Sequence, residues 1–257
     1  MGVLAAIALP SLRSLKPNAA AAATRQILDA VTRARQLALS QRTTVYMVFV
    51  PPSFFSDPNY DKNWTAADRD AANSLLDRQM VGYNYVALRS VGDQPGVSYP
   101  QYLGQHWRTL PQGAFISGEK FLQYLPGSSP VLRILTNGIP AYQVYGFNFT
   151  NNIPFPLEQT APAAIVNGIK RWVTLPYIAF NGMGQLVDGS GSPQVQPEFI
   201  PITEGNVSFP RDPATKAALP QPLALREVPA GNTTNNFNLV YVDQMTGRGR
   251  IEHLKVQ

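Results

Sequence analysis

The chain has 257 residues, of which 44% are hydrophobic and 14% are charged, so it can form one large core or two small ones. It contains no cysteine and two histidines, which excludes disulfides, thiolate metal sites, cysteine nucleophiles and histidine-rich metal sites. The net charge of +5 belongs to residues 1–42, with six basic side chains and one acidic, whereas residues 43–257 carry 15 of each. The charge therefore gives no support to a basic globular domain that wraps nucleic acid.

The N-terminal segment is predicted to form one long helix. Residues 2–10 are apolar and uncharged, a run of about half the length that a membrane span needs. From residue 20 to residue 38, apolar side chains recur every three or four positions, which predicts an amphipathic helix over residues 5–41 with bends at Pro10 and Pro17. The predicted membrane and filament residues are Gly2, Val3, Leu4, Ile7, Leu9 and Pro10. The residues expected to pack on an antiparallel sheet are Ile27, Leu28, Val31, Ala34 and Ala38.

A β-rich head is predicted over residues 43–257, behind a helical segment over residues 1–42. Short segments rich in β-branched and aromatic residues, separated by turn signals, predict strands. These are 43–50, 83–90, 114–117, 131–135, 141–149, 171–181, 199–202, 206–209, 239–242 and 250–255. Helices are predicted over 66–80, with Thr65 as the N-cap, and over 119–125. Loop insertions are expected near 51–80, 151–162 and 210–234.

Several stretches resemble the type IV pilin family. Gly2-Val-Leu-Ala-Ala-Ile-Ala-Leu-Pro-Ser11 is similar to the second half of the pilin N-terminal helix, with Pro10 as its kinking proline. Ala34-Arg-Gln-Leu-Ala-Leu-Ser-Gln41, followed by an apolar strand, resembles the GspH and FimT group of minor pseudopilins. Residues 107–113, 178–184 and 246–251 are similar to shorter motifs of the head. The cleavage site and assembly glutamate of the family are not found ahead of Gly2, so we expect an N-terminally truncated chain.

The resemblance implies an α+β, pilin-like fold, in which a long N-terminal helix packs by its C-terminal half on a mostly antiparallel sheet. It implies a non-enzymatic minor pilin or pseudopilin, without cofactors, of a type II secretion pseudopilus or a type IV pilus. Prepilin N-terminal methylation and a role in protein transport would accompany this class. The expected location is the bacterial inner membrane, single-pass with a periplasmic head, and then the filament. The expected partners are other pilins or pseudopilins, the inner membrane and a secreted client protein.

Two alternative functions remain open from the sequence. Arg248 and Arg250, in Gly247-Arg-Gly-Arg250, resemble the motif of DNA-binding FimT-like pilins, but the head is neutral and Glu252 is close, so at most weak binding is expected. A glycan-binding or glycan-active β protein is the other alternative, although the sequence shows no paired carboxylates. The aromatic residues that could stack on sugars, or simply fill sheet faces, are Tyr83, Tyr85, Tyr99, Tyr102, Trp107, Tyr142, Tyr145 and Trp172.

No catalytic, cofactor or metal residue is predicted. Residues 57–68 space their acidic and amide side chains like a calcium loop, but Lys62 occupies the position that needs glycine. The side chains concerned are Asp57, Asn59, Asp61, Asn63 and Asp68. Ser190, in Asp188-Gly-Ser-Gly-Ser192, departs from the G-x-S-x-G pattern of serine hydrolases, so a polar loop is the better interpretation.

Overall fold

The structure is a computed structural model that describes most of the chain. The described residues are 19–58, 60–61, 64–87, 101–104, 106–123, 129–136, 139–149, 153–154, 165–166, 169–170, 172–235 and 238–253. The predicted apolar run over residues 2–10, and the bends at Pro10 and Pro17, lie outside these residues. They stay predictions.

The described elements alternate a few helices with many short strands. The helices are α1 (Ala19–Gln41), α2 (Ala66–Asn73) and α3 (Asn232–Asn235). The strands of the first half are β1 (Val45–Phe49), β2 (Gly82–Ala87), β3 (Gln101–Tyr102), β4 (Arg108–Thr109), β5 (Ala114–Ile116), β6 (Leu132–Thr136) and β7 (Ile139–Val144). Those of the second half are β8 (Ile153–Pro154), β9 (Ile165–Val166), β10 (Ile169–Lys170), β11 (Trp172–Val173), β12 (Tyr177–Phe180), β13 (Leu186–Val187), β14 (Glu198–Ser208), β15 (Ala224–Glu227), β16 (Asn238–Val242) and β17 (Gly249–His253).

Helix α1 lies on the sheets through a face of small side chains. Ile27, Val31, Ala34 and Ala38 are fully buried, as predicted, and Ala23 extends this face at the helical spacing. The alanines let the helix backbone approach the strands closely. The last helical residue is Gln41, because the next residue, Arg42, has a left-handed φ of 52° that breaks the helical hydrogen bonding. The predicted packing face is confirmed except at Leu28, which is only partly buried.

The first sheet has the order β13-β12-β1-β2-β3, with β4 also paired to β2, and all of its pairs are antiparallel. In the centre, Met47 of β1 lies opposite Ile178 of β12 and Tyr85 of β2. Every residue of β1 is buried, because helix α1 covers one face and the segment around α2 covers the other. The apolar residues of that second layer include Phe54, Trp64, Ala72, Leu75 and Leu76.

The second sheet is built around β14, an 11-residue strand that pairs with β5, β15 and β16. Strand β17 adds to β16 at the edge. Helix α1 packs on this sheet too, through Ile200, Ile202 and Val240 among others. The β6–β7 hairpin covers part of the opposite face, where Leu132 and Val144 contact Phe199. The architecture is thus α+β with antiparallel sheets, as the sequence predicted.

Several predicted elements differ from the observed ones. The two strands predicted over 199–202 and 206–209 are one strand, because Gly205 continues the chain through β14 at a φ of 155°. The strand predicted over 171–181 is divided into β11 and β12. The insertion over 210–234 is not all loop, since it contains β15 and α3.

The predicted helices after α1 are shorter than expected. Thr65 does cap α2, and its capping box with Asp68 is complete, but the helix ends at Asn73 and a 3₁₀ turn follows over Leu76–Arg78. The helix predicted over 119–125 is a single 3₁₀ turn over Gly118–Phe121. In both places one or two helical turns are enough to bury the apolar residues, so the apolar periodicity predicts a helix that is too long.

Candidate functional site

The exposed face of α1 runs along the protein surface and is polar. Its solvent-facing side chains include Arg25, Asp29, Arg33 and Gln36, while the opposite side is in the core. Within the part of the chain that the structure describes, α1 and the other helices are too short or too polar to span a bilayer. The predicted membrane and filament residues over 2–10 lie outside the described residues. The part of the predicted N-terminal helix that the structure describes is α1.

The two arginines predicted as a DNA contact lie on the β16–β17 hairpin. Arg248 is exposed in the turn, and Arg250 is the second residue of β17. The Arg250 Nε donates to Glu252 Oε1 at 2.5 Å, and its guanidinium stacks 4.0 Å above the Tyr241 ring. The hydrogen bond to Glu252 raises the pKa of Arg250. The structure therefore brings both arginines together, but Arg250 is already engaged in an ion pair.

The residues spaced like a calcium loop have separate partners. Asp61 Oδ1 accepts from Arg69 Nε at 2.5 Å, Asp68 Oδ2 accepts from the Thr65 backbone N–H at 2.9 Å, and Asp57 Oδ2 accepts from the backbone N–H of Thr174 at 3.2 Å. Asn59 and Asn63 lie outside the described residues. No group of three or more metal-ligating His, Cys, Asp or Glu side chains occurs in the described ranges.

Ser190 belongs to a tight turn that Asp188 organises. Its hydroxyl donates to Asp188 Oδ1 at 2.7 Å, and the same oxygen accepts from the backbone N–H groups of Ser190 and Ser192. Although partial burial favours the protonated form, these hydrogen bonds lower the pKa of Asp188. The serine thus stabilises a loop, and its described partners offer no neutral base for a nucleophile.

A cleft that the sequence did not predict lies beside this turn. It has a volume of about 500 Å³ and lies between residues 145–148 and the loop 187–198. Its walls are mainly apolar and aromatic, with Tyr145, Tyr177, Ile178 and Pro197. Asp188 and Glu198 also line it, so the fold brings two carboxylates to one cleft although they lie ten positions apart in the chain.

At the end of the cleft, Glu198 forms a buried ion pair with Lys120. The Lys120 side chain is completely buried, and its ammonium also donates to the Tyr145 carbonyl at 2.6 Å and lies 4.7 Å above the Phe147 ring. Gln194 Nε2 donates to the second Glu198 oxygen at 3.3 Å. Burial lowers the pKa of Lys120, and the Glu198 charge opposes that shift.

This pair was not found from the sequence because its members are 78 residues apart. A local signal is that each charge directly precedes a buried aromatic residue, Lys120 before Phe121 and Glu198 before Phe199. Charges next to buried side chains are usually paired, but Glu119 beside Lys120 gives the sequence a nearer candidate partner. Since the two charges neutralise each other, neither is set up as a free acid or base.

The aromatic side chains considered for sugar stacking have divided roles. Tyr83, Tyr85, Tyr102 and Trp107 are at most 5% exposed and belong to the core. Tyr142 packs on Phe199, with ring centroids 5.4 Å apart. Tyr145 lines the cleft. Tyr99 lies outside the described residues, and so does the side chain of Trp172.

No protein-family model, curated protein or solved structure matches this chain.

Proposed function

We propose that the chain is a structural minor subunit of the pilin or pseudopilin type, in a type II secretion pseudopilus or a type IV pilus. The observation that carries this proposal is the arrangement of α1, which lies against two antiparallel sheets with a continuous buried face and an exposed polar face. In such a subunit, the helix fixes the head on a filament, and the sheets present the head's surface.

The sequence ahead of α1 supports the same role. Residues 2–10 are apolar, and the helix that follows places its basic side chains on the exposed side, at Arg25 and Arg33. An apolar segment continuous with α1 would lie in the inner membrane before assembly and against the helices of other pilins afterwards. The chain would then contact other pilins through the helix and a secreted client through the head.

The proposal is for a non-enzymatic protein, and the chemistry of the polar clusters supports it. Asp188 is held ionised by its turn, and Glu198 is paired with Lys120. Glycoside hydrolysis needs one of two carboxyl groups protonated near neutral pH, which requires a raised pKa. Asp188 lacks the raised pKa of that general acid, and the Glu198 carboxylate is already engaged by Lys120.

Cysteine cross-linking tests the proposal cleanly, because the chain has no cysteine of its own. Gln36→Cys places a thiol on the exposed face of α1, and Ala34→Cys places one on the buried face as a matched control. Both variants are expressed from the natural gene in a bacterium that assembles these filaments. After the thiols are labelled with a maleimide–benzophenone cross-linker and irradiated, we expect the Gln36→Cys subunit, and not the Ala34→Cys subunit, to be linked to other pilins. Failure of both variants to co-fractionate with membranes or filaments would contradict the proposal.

A second candidate is glycan binding in the cleft, which the ring of Tyr145 and the two carboxylates that line the cleft favour. Sugar rings pack on tyrosine faces, and carboxylates accept hydrogen bonds from sugar hydroxyls. Titration of the protein with a panel of soluble oligosaccharides, followed by NMR, would detect binding. Replacing Tyr145 by Ala should then abolish the shifts, whereas the same change at exposed Met183, which does not line the cleft, should leave them unchanged. Absence of shifts for every glycan removes this candidate.

A further inference from the structure

An acidic, apolar groove lies near the N-terminal end of α1. It has a volume of about 270 Å³ and is lined by Phe115, Gly118, Glu119, Leu122, Leu225 and Glu227. The apolar side chains at its rim are unusually accessible, since Leu122 is 56% exposed and Leu225 is 45% exposed. We call these six residues the acidic groove.

The carboxylates of the acidic groove are held in place but not neutralised. Glu119 accepts from the Ser117 hydroxyl, and Glu227 accepts from the Thr233 hydroxyl and, at 3.3 Å, from the Thr233 backbone N–H. Among the described residues, neither carboxylate belongs to an ion pair. Arg226 is the neighbouring cation, but side chains alternate along a strand, so it lies on the opposite face of β15 from Glu227.

A basic, apolar patch lies at the other end of α1. It consists of Arg35, Leu39, Arg42, Met183 and Met245, and its apolar members are 37%, 71% and 58% exposed, in that order. We call these five residues the basic patch. Methionine side chains at a surface adapt to the shape of a partner.

The contacts around Arg35 make the basic patch continuous. Arg35 Nε donates to the carbonyl of Thr246 at 2.6 Å. A Cβ at Gly184 would lie 3.0 Å from Arg35 Nε and 3.3 Å from Leu39 Cδ2, so the turn that carries Met183 rests on the helix. The two turns also touch each other, because a Cβ at Gly247 would overlap the Gly184 carbonyl.

The charge of the basic patch is positive and accessible. Arg42 is exposed where the helix ends, and Arg248 is exposed just beyond the second turn. Asp243 is the acid in that turn, and its Oδ1 accepts from the Thr246 backbone N–H at 2.7 Å and from the Thr246 hydroxyl at 2.8 Å. Its negative charge offsets one of the positive charges of Arg35, Arg42 and Arg248, which leaves the patch positive. Hydrogen bonding lowers the pKa of Asp243, led by the Thr246 hydroxyl.

The two surfaces lie near opposite ends of α1. Gly205, which pairs with Glu227, donates to the Gly113 carbonyl at 2.9 Å, and a Cβ at Gly113 would lie 3.2 Å from the Ala19 side chain. The acidic groove is therefore near the start of α1. The basic patch lies at Arg35 and beyond, so at 1.5 Å per residue the helix separates the two surfaces by roughly 25–30 Å.

We infer that the basic patch of one copy of this chain docks in the acidic groove of a second copy. The occupant is identified by complementarity, since each surface combines exposed apolar side chains with unpaired charge of the opposite sign. Met183 and Met245 enter between Leu122 and Leu225, and the arginines face Glu119 and Glu227. A contact between different surfaces at opposite ends leaves one of each free, so copies stack into an open linear array.

Paired cysteines distinguish this array from other assemblies. The single variants Met183→Cys and Leu225→Cys are mixed, and the double variant is oxidised alone, at protein concentrations up to ~1 mM to capture weak contacts. The mixed proteins should give dimers that contain one of each, and the double variant should give a ladder of longer oligomers. A control double variant with Val195→Cys in place of Met183→Cys should give no ladder.

Charge reversal supplies an independent measurement. Two double variants reverse the charge of one surface each: Glu119→Lys with Glu227→Lys, and Arg42→Glu with Arg248→Glu. Each should weaken self-association about 10-fold or more in sedimentation, because the two surfaces then repel each other. Mixing the two reversed proteins should restore heterodimers. Raising the salt concentration should weaken association of the unmodified protein.

Other results would overturn the inference. A monomeric protein without cross-links at ~1 mM, or preferential disulfides between two Met183→Cys copies, would show that these surfaces do not meet. This inference and the filament proposal are tested separately, because the Gln36→Cys experiment detects contacts of the exposed face of α1 and not of the two docking surfaces. Links from α1 to other pilins without a ladder would preserve that proposal and reject this one.

Discussion

Replacing Glu198 by glutamine should destabilise the protein strongly, because the buried ammonium of Lys120 loses its counter-charge. Breaking a buried ion pair by removing one partner costs about 3–5 kcal/mol. Lys120 has no exposed surface, so the upper part of that range applies. Since domains are stable by only about 5–15 kcal/mol, this change removes a large share of the total.

The measurement is urea unfolding followed by fluorescence, with two matched comparisons. Glu252→Gln breaks the ion pair with Arg250, whose side chain is 63% exposed, and should cost less than about 1 kcal/mol. The double variant Lys120→Met with Glu198→Leu should recover most of the loss, because apolar side chains of similar volume tolerate burial. Adding the single variants Lys120→Met and Glu198→Leu completes a double-mutant cycle, which gives the coupling free energy of the pair.

The loss in Glu198→Gln should depend on pH. Burial lowers the pKa of Lys120 and Glu198 opposes the shift, so removing the carboxylate lowers the folded-state pKa further below the unfolded value of 10.5. Between these two pKa values the unfolded chain binds more protons, and stability therefore rises with pH in that window. A cost below about 1 kcal/mol, or one that is unchanged up to pH ~10, would refute the buried-pair reasoning.

Three further outcomes are expected. Thr65→Ala should lower the unfolding free energy by about 1 kcal/mol, since the α2 cap is lost, whereas Thr65→Ser should retain it. Gly205→Ala should cost more than about 2 kcal/mol in urea unfolding, because its Cβ would collide with the Arg226 carbonyl, while Gly191→Ala, with open space around it, should cost about 1 kcal/mol. Duplex DNA should bind no tighter than roughly 10⁻⁴–10⁻⁶ M at physiological salt in fluorescence anisotropy. Tight binding that Arg248→Ala with Arg250→Ala abolishes would favour DNA capture.

The sequence predicted the elements whose signal is local. The spacing of Ala23, Ile27, Val31 and Ala34 is determined by one helix face, and it predicts both the helix and its buried side. The apolar run of β1 also indicates that both faces of this strand are covered. A strand with one solvent-exposed face would alternate apolar and polar residues. That second layer around α2 was predicted only as an insertion.

The cleft and the surfaces near the ends of α1 could not be predicted, because they depend on long-range pairing. Lys120 meets Glu198 only after β14 is placed beside β5. Gly205 is a local signal that predicts a break between two strands. In the structure, pairing of residues 205–208 with β15 keeps them in one strand. The three-dimensional register, rather than residue type, brings these side chains together.

Contact between the first helix and the last strand has a consequence for synthesis. Gly249 of β17 packs beside Leu28 and Val31 of α1, so a Cβ at Gly249 would lie 2.6 Å from Leu28 Cδ1. At roughly 5–20 residues per second, a ribosome needs more than about 10 s between these positions. Throughout that time the strands that cover the apolar side of the nascent helix are incomplete. A chaperone or a bilayer must shield that side to prevent aggregation. Loss of the last strand would leave that shielding permanently required.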